Sequence, residues 1–322
     1  MTLTETGDYG MNAFAAETLL ARLQALTKEF EGVRSADDDI EFVHRMRVAS
    51  RRLRTALSIF ADCFPAKKAE NWLRDIRRVT RALGAARDLD VQLAVVDDFT
   101  TRATDERMKP GLARLLLRLR QSRAAVQHKV TRALARLDTD QTTREMEEAL
   151  RRLRVRDRLS PEEDTTDALH ALARTAITDH LIELLSYEPY VTQPEKKEEL
   201  HAMRIAAKHL RYTLELFAPL YTDGLKEFIK LARTMQELLG DIHDCDVWAL
   251  LLPTFLAEER QKALDYAGNT RGVSRLATGI EALHADRATF RDTRYREFAA
   301  RWAKSHELWD TLLSHLQPPL VN

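Results

Sequence analysis

Residues 44–60 read HRMRVASRRLRTALSIF, and residues 201–217 read HAMRIAAKHLRYTLELF, with His, Met, Arg, Ala, Leu, Arg, Leu and Phe at the same offsets. A second pair follows at nearly the same separation, LGAARDLDV at 83–91 and LGDIHDCDV at 239–247. Two motifs in the same order and spacing mean duplication of a unit of well over a hundred residues. That is longer than the repeat of a solenoid array, so two copies of one bundle are expected.

What lies between the motifs is helical in character. Only 10 Gly and 9 Pro punctuate the 322 residues, and Arg, Leu, Ala and Glu, all good helix formers, dominate. No sustained two-residue alternation bounded by turn residues marks a strand. The fold class expected is all-α, a duplicated antiparallel helical bundle with short connections. The first repeat is assigned to 12–137 and the second to 168–317. The connecting segment at 138–167 carries the polar runs DTDQTT (138–143) and SPEEDTT (160–166), with RRLRVRDR (151–158) able to continue a helix between them. Helices are expected at 13–30 and 169–185, along each His-led motif, at 66–83 and 225–239, and at 111–137. Gly84 and Gly240 are placed as C-terminal caps, and Asp88 and Asp244 as the N-caps that follow.

The motif helix has two faces. Stepping about 100° per residue from His44 puts Arg47, Arg51 and Arg54 within about 80° of it, with Met46, Leu53, Leu57 and Phe60 opposite. In the second copy His201, Arg204, Lys208 and Arg211 form the polar row, and Met203, Leu210, Leu214 and Phe217 the apolar one. The helix that follows adds Arg74, Arg77, Arg78 and Arg81 on one side, with Trp72, Leu73, Ile76, Val79 and Leu83 facing away. Its second copy gives Lys226, Lys230 and Arg233, with Glu237 at the Arg81 position. An ordinary solvated face mixes signs so that Glu pairs with Lys or Arg. These rows read as carrying no carboxylate, while acidic residues gather elsewhere, as at Asp37, Asp38, Asp39 and Glu41. The alternative is that each cation pairs with a carboxylate from another helix, since exposed ion pairs are common. Unpaired rows of guanidinium, ammonium and imidazole donors suit a linear polyanion. Lys plus Arg equals Asp plus Glu at 50 each, so this basic character comes from segregation and not from net charge.

Several function classes fall away. Cys63 and Cys245 make neither a disulfide framework nor a zinc cluster. The polar, acidic start of the chain has no signal-peptide pattern, and the apolar run 247–257 is short and broken by Pro253, so a cytoplasmic protein with no membrane partner is expected. His243, Asp244 and Asp246 look superficially like the metal pair of a phosphohydrolase, the alternative function, but lack further His ligands at helical spacing. His44 and His201 lack the carboxylate or thiolate of a metal first shell, and the arginines around them repel a cation. No nucleophile elbow or phosphate loop appears. No catalysis, metal or cofactor is expected. Backbone binding to nucleic acid, a further alternative, would be weak, because Tyr212 is the one aromatic in the rows.

The repeated HxxR(V/I)A segment followed by LGxx(R/H)DxDV resembles the conserved-histidine α-helical domain, the CHAD family, over about residues 12–315. The resemblance implies two helical bundles related by a pseudo-two-fold around a basic central channel. It also implies binding of inorganic polyphosphate and association with polyphosphate granules. Carried over by position, the site would comprise His44, Arg47, Arg51, Arg52 and Arg54 from the first copy. The second would supply His201, Arg204, Lys208, His209 and Arg211. Arg74, Arg77, Arg78, Lys230 and Arg233 join from the next helix. His243 stands where the first copy has Arg87, a departure that bears on whether the halves contribute equally. Some relatives carry a triphosphatase domain, and no Glu-x-Glu-x-Lys run is present here, so the resemblance is to the stand-alone form.

Overall fold

A computed structural model describes residues 10–35, 41–139, 141–159, 165–222 and 224–316. Among them every regular element is helical: α1 (Met11–Thr27), α2 (Phe30–Arg34), α3 (Glu41–Ile59), α4 (Ala66–Arg102), α5 (Lys109–Thr139), α6 (Thr142–Leu159), α7 (Thr165–Leu185), α8 (Lys197–Phe217), α9 (Lys226–Ala267), α10 (Ser274–Ala303) and α11 (His306–Leu316). The His-led motifs are α3 and α8. No helix among the described residues is long and apolar enough to cross a membrane. The acidic run at 37–39 lies outside the described residues, and Glu41 opens α3.

The packing order recurs. α3 lies between α1 and α4, α8 lies between α7 and α9, and α3 also touches α8. α4 pairs with α5, and α9 with α10. The apolar positions read from the motif are all buried: Met46, Leu53, Leu57 and Phe60, then Met203, Leu210, Leu214 and Phe217. They belong to one core that draws on both halves of the chain. At its centre Phe60 and Phe217 meet at 6.1 Å, and Phe14 contacts both at 6.0 and 6.2 Å. A second core, also shared, joins Val96 and Phe99 of α4, Leu112 and Leu115 of α5, Trp248, Leu252 and Phe255 of α9, and Ile280 and Leu283 of α10. Between these last helices Glu259 of α9, almost wholly buried, accepts from Arg114 and Arg118 of α5 at 2.6 and 2.9 Å.

Two expectations are corrected. α4 does not stop at Leu83 but runs 37 residues through Gly84 and Asp88. Likewise α9 runs 42 residues through Gly240, Asp244 and Pro253. At about 1.5 Å per residue these are rods of about 55 and 63 Å, long enough to serve both cores. Gly84 and Gly240 are therefore not caps, and Asp88 and Asp244 are not N-caps. The motif sits mid-helix because it packs there: Leu83, Ala86, Leu239 and Ile242 are buried on the core side. Within the connecting segment the stretch 151–158 does continue a helix, as its sequence allows. In α6, Met146, Leu150 and Leu153 recur at helical spacing and are buried, with the helix lying on α1. Residues 160–164 fall outside the described ones.

Two glycines carry the distal contact. A Cβ at Gly111 would run into the backbone carbonyl of Leu276, and one at Gly279 into that of Met108. Backbone oxygens cannot yield as a side chain can. Gly111→Ala and Gly279→Ala should each destabilise the fold by about 1–3 kcal/mol, read as a lowered thermal midpoint.

Candidate functional site

The contact of α3 with α8 turns the two basic rows toward each other. Arg51 has Arg47, Arg54 and Arg204 as charged neighbours. Lys208 has Arg51, Arg54, Arg204 and Arg47 around it. Arg77 and Arg81 of α4 close on Arg54. Arg51, Arg54, Arg204 and Lys208 form no ion pair with any described carboxylate, although these same residues are partly buried. The guanidiniums of Arg51 and Arg211 lie 5.6 and 5.7 Å from the centroid of the buried Tyr212 ring. For Arg51, which has no ion pair, this cation–π contact is the favourable electrostatic contact it makes there.

The electrostatics record that crowding. Burial, followed by the four surrounding arginines, pushes the Lys208 ammonium down to about 7. Burial lowers Arg51 to about 10, with Tyr212 opposing and Arg47, Arg204 and Arg54 adding to the fall. Arg54 is lowered too, by burial and then Arg77. His44 is lowered by burial and then by Arg87, and His201 by burial, Arg204 and Lys208. The His201 and His243 rings lie 4.0 Å apart, tilted by 34°, and His243 is pushed down to about 4 by burial, His201 and Arg204. In the free protein both members of this ring pair are therefore neutral near pH 7.

The LGxx(R/H)DxDV motif has a different role from capping. The guanidinium Nε of Arg47 lies 3.8 Å from where a Cβ of Gly84 would be, and that of Arg204 lies 3.5 Å from the same point on Gly240. Each glycine thus lies beside an arginine of the facing motif helix, at a distance where a Cβ would make ordinary van der Waals contact. Asp88 pairs with Arg47 at 3.5 Å. Asp244 is raised by burial, which Arg204 offsets while Asp88 and Asp241 add to the rise. The second aspartate of each motif is structural: Asp90 accepts from Arg123 of α5 at 2.6 Å, and Asp246 from Arg291 of α10 at 2.8 Å. Among the described residues no three His, Cys, Asp or Glu come together as a metal site.

Other residues read from the sequence are placed elsewhere. The α8 face is not free of carboxylate: Glu215 lies on it and takes Arg52 at 2.8 Å, Arg211 at 2.9 Å and Arg233 at 3.6 Å. His209 turns to α7, 3.6 Å from Glu183 and 5.6 Å from the His180 ring. Arg78 pairs with Asp75 at 3.3 Å, and Arg74 donates to Asn71 at 2.8 Å. Lys230 lines a cavity with Arg301, Lys304 and Ser305 that includes no residue of the α3–α8 cluster. The sequence reading left Arg81 and Arg87 off the site; Arg81 stood in the α4 stripe, and Arg87 in the motif itself. Glu215 was legible too, since it follows Arg204, Lys208 and Arg211 at the helical spacing of that row.

An all-α chain whose two motif helices hold a carboxylate-poor cation cluster between them is the class that this geometry defines. The CHAD domain model matches residues 17–253, and the chain belongs to the CHAD domain family. The crystal structure of the CHAD domain from the plant Ricinus communis is similar with a TM-score of 0.65 at 22% identity, over 98% of this chain and 94% of that one. PptA from Streptomyces chartreusis is similar with a TM-score of 0.58 at 15% identity, over 92% of this chain and 100% of that one. At these identities the likeness is one of fold. No curated protein matches the chain.

The depressed Lys208 has a consequence for stability. Its folded value of about 7 lies below the ordinary 10.5, so the folded state bears the full cost of the charge below pH 7 and loses that cost as pH rises toward 10.5. Lys208→Gln should therefore raise the thermal midpoint at pH 6, by about 2 °C or more, and the gain should shrink by pH 10. Equal midpoints for variant and wild type at pH 6 would show that the cluster carries no strain.

Proposed function

We propose that the protein binds inorganic polyphosphate without turning it over, along the cluster formed by Arg47, Arg51 and Arg54 of α3, Arg77 and Arg81 of α4, and Arg204 and Lys208 of α8. His44 and His201 stand at the start of each row. The observation that carries this reading is that Arg51, Arg54, Arg204 and Lys208, all partly buried, form no ion pair with a described carboxylate. Proteins rarely desolvate charge without pairing it, so the missing partner is an anion from outside. Arginine forks match phosphate oxygens, and a row of them matches a ligand that repeats phosphate along its length. The family membership supports the same ligand, and in a cell such binding would bring the protein to polyphosphate granules. Tyr212 is buried beneath the guanidiniums and offers no platform for a base, so recognition is of the phosphate chain.

The test is titration with long-chain polyphosphate, tripolyphosphate, orthophosphate, ATP and single-stranded DNA. Long chains should bind tightest, with affinity falling steeply as salt rises, by the same counterion release that governs nucleic-acid phosphates. Arg47→Glu, Arg51→Glu, Arg204→Glu and Lys208→Glu combined should lower affinity by at least about 100-fold while helical circular dichroism persists. A folded quadruple variant that binds normally would remove the cluster as the site. No phosphate should be released from polyphosphate with Mg²⁺ or Mn²⁺ present; release that follows the purified protein would make it an enzyme.

Binding should also be linked to protons. A bound polyanion restores the Lys208 charge, so its value climbs from about 7 toward the ordinary 10.5. The complex then holds more protons than the free protein between those limits. Affinity must tighten as pH falls from about 10 to 7 and gain nothing more from Lys208 below that. His44 and His201, also lowered when free, contribute only at more acid pH. Lys208→Arg keeps its charge throughout and should flatten the alkaline limb at fixed ionic strength. An unchanged slope in that variant would assign the proton to another group.

A further inference from the structure

The row on α8 runs Arg204, Lys208, Arg211, and its next position at helical spacing is Glu215. On α3 the same step from Arg54 reaches the exposed Ser58. Glu215 is not an idle surface acid. Its side chain is 13% exposed and is gripped from three helices. Arg52 of α3 donates to Oε2 through Nε at 3.0 Å and Nη2 at 2.8 Å. Arg211 donates to Oε1 at 2.9 Å, and Arg233 of α9 stands 3.6 Å from the same oxygen. Arg22 of α1 adds a fourth guanidinium in the same field and donates to the Arg52 carbonyl at 3.2 Å. Burial alone would raise this carboxyl, but Arg52 and Arg211 hold it below the ordinary value, so it is ionised at neutral pH.

The cations of this region therefore fall into two groups. Arg51, Arg54, Arg204 and Lys208 have no carboxylate, whereas Arg52, Arg211 and Arg233 share one. We propose that Glu215 is a specificity-determining residue that ends the polyphosphate site: as an internal counter-anion it occupies the place a further phosphate would take, withholds Arg52, Arg211 and Arg233 from the ligand, and so limits the length of chain the protein engages. Its negative charge also repels a chain that would continue along α8. At the other end of the cluster the exposed Asp88 pairs with Arg47 at 3.5 Å, and Asp244 lies in the field of Arg204 without an ion pair. The inference rests on the polyphosphate reading of the cluster.

The experiment titrates wild type and Glu215→Gln with polyphosphates of graded length at several salt concentrations. Wild type must bind long chains in a manner that the quadruple charge reversal abolishes; failure there overturns the polyphosphate reading itself. Given that binding, Glu215→Gln should raise affinity for long chains about tenfold and lengthen the shortest chain that reaches full affinity. It should also steepen the fall of log affinity with log salt by about two, as freed arginines each release a counterion. A folded Glu215→Gln with unchanged or lower affinity and the same length dependence overturns the inference, because Glu215 would then only position arginines. Breaking a buried pair can unfold a protein, so Arg52→Gln in the wild-type background gives a second reading. If Glu215 withholds Arg52, that variant keeps its affinity within about twofold while Arg54→Gln loses about tenfold or more. Equal losses from the two variants overturn the inference.

Discussion

The burial of Phe60 against Phe217, with Phe14 on both, is the contact on which the rest of the molecule depends. It is an apolar contact, non-directional and strong: burying a Phe is worth about 1.5–3 kcal/mol. What it forces is electrostatically unfavourable. Where Phe60 and Phe217 join the ends of α3 and α8, the basic rows of the two helices come into each other's field, with Lys208 among four arginines. A displacement of an ammonium from 10.5 to about 7 corresponds to on the order of 5 kcal/mol of lost preference for the charged form, burial and repulsion together. The core supplies the free energy that holds these cations together.

The duplicated LGxx(R/H)DxDV motif acts as a hinge-free brace for that cluster. Its glycine lies on a long rod beside an arginine from the motif helix. Its first aspartate stands at the edge of the cluster, and its second ties the rod to the neighbouring helix through a buried ion pair, Asp90 with Arg123 and Asp246 with Arg291. Removing one partner of such a pair leaves a charge without compensation, which makes it a strict fixer of register even where its net stabilisation is small. Arg47 and Arg204 lie beside the motif glycines, and Arg47 also pairs with the first aspartate of its motif. The long rods then continue into the second core, where α5 and α10 lock them by close backbone contact at Gly111 and Gly279.

The two halves use one motif unequally. Arg52 of the first copy spans to Glu215 of the second, whereas His209, at the corresponding place, turns to α7 and Glu183. Arg87 lies beside His44, but its counterpart His243 lies against the His201 ring and is neutral. Arg81 closes on Arg54 where Glu237 stands in the second copy. Each difference lowers positive charge in the second half. The cluster is therefore richer in permanent cations on the α3–α4 side and more dependent on titratable groups on the α8–α9 side.

The sequence by itself determined the helical class, the two motif helices and their buried faces, because a period of 3.6 residues sorts apolar from basic positions within one segment, and local geometry is enough to read it. It also determined that Arg47, Arg51, Arg54, Arg204 and Lys208 belong together on their faces. It did not determine where α4 and α9 end, since a glycine in mid-helix and a glycine past a helix end look alike until the facing arginine is placed. Nor could spacing decide which cations stay unpaired. Arg52, Arg211 and Arg233 meet Glu215 only because α3, α8 and α9 converge, and Arg78 and His209 find Asp75 and Glu183 through their own neighbours. Ion pairing is a property of distances between helices, so the tertiary structure divided one basic stripe into cations that pair with a carboxylate and cations that do not.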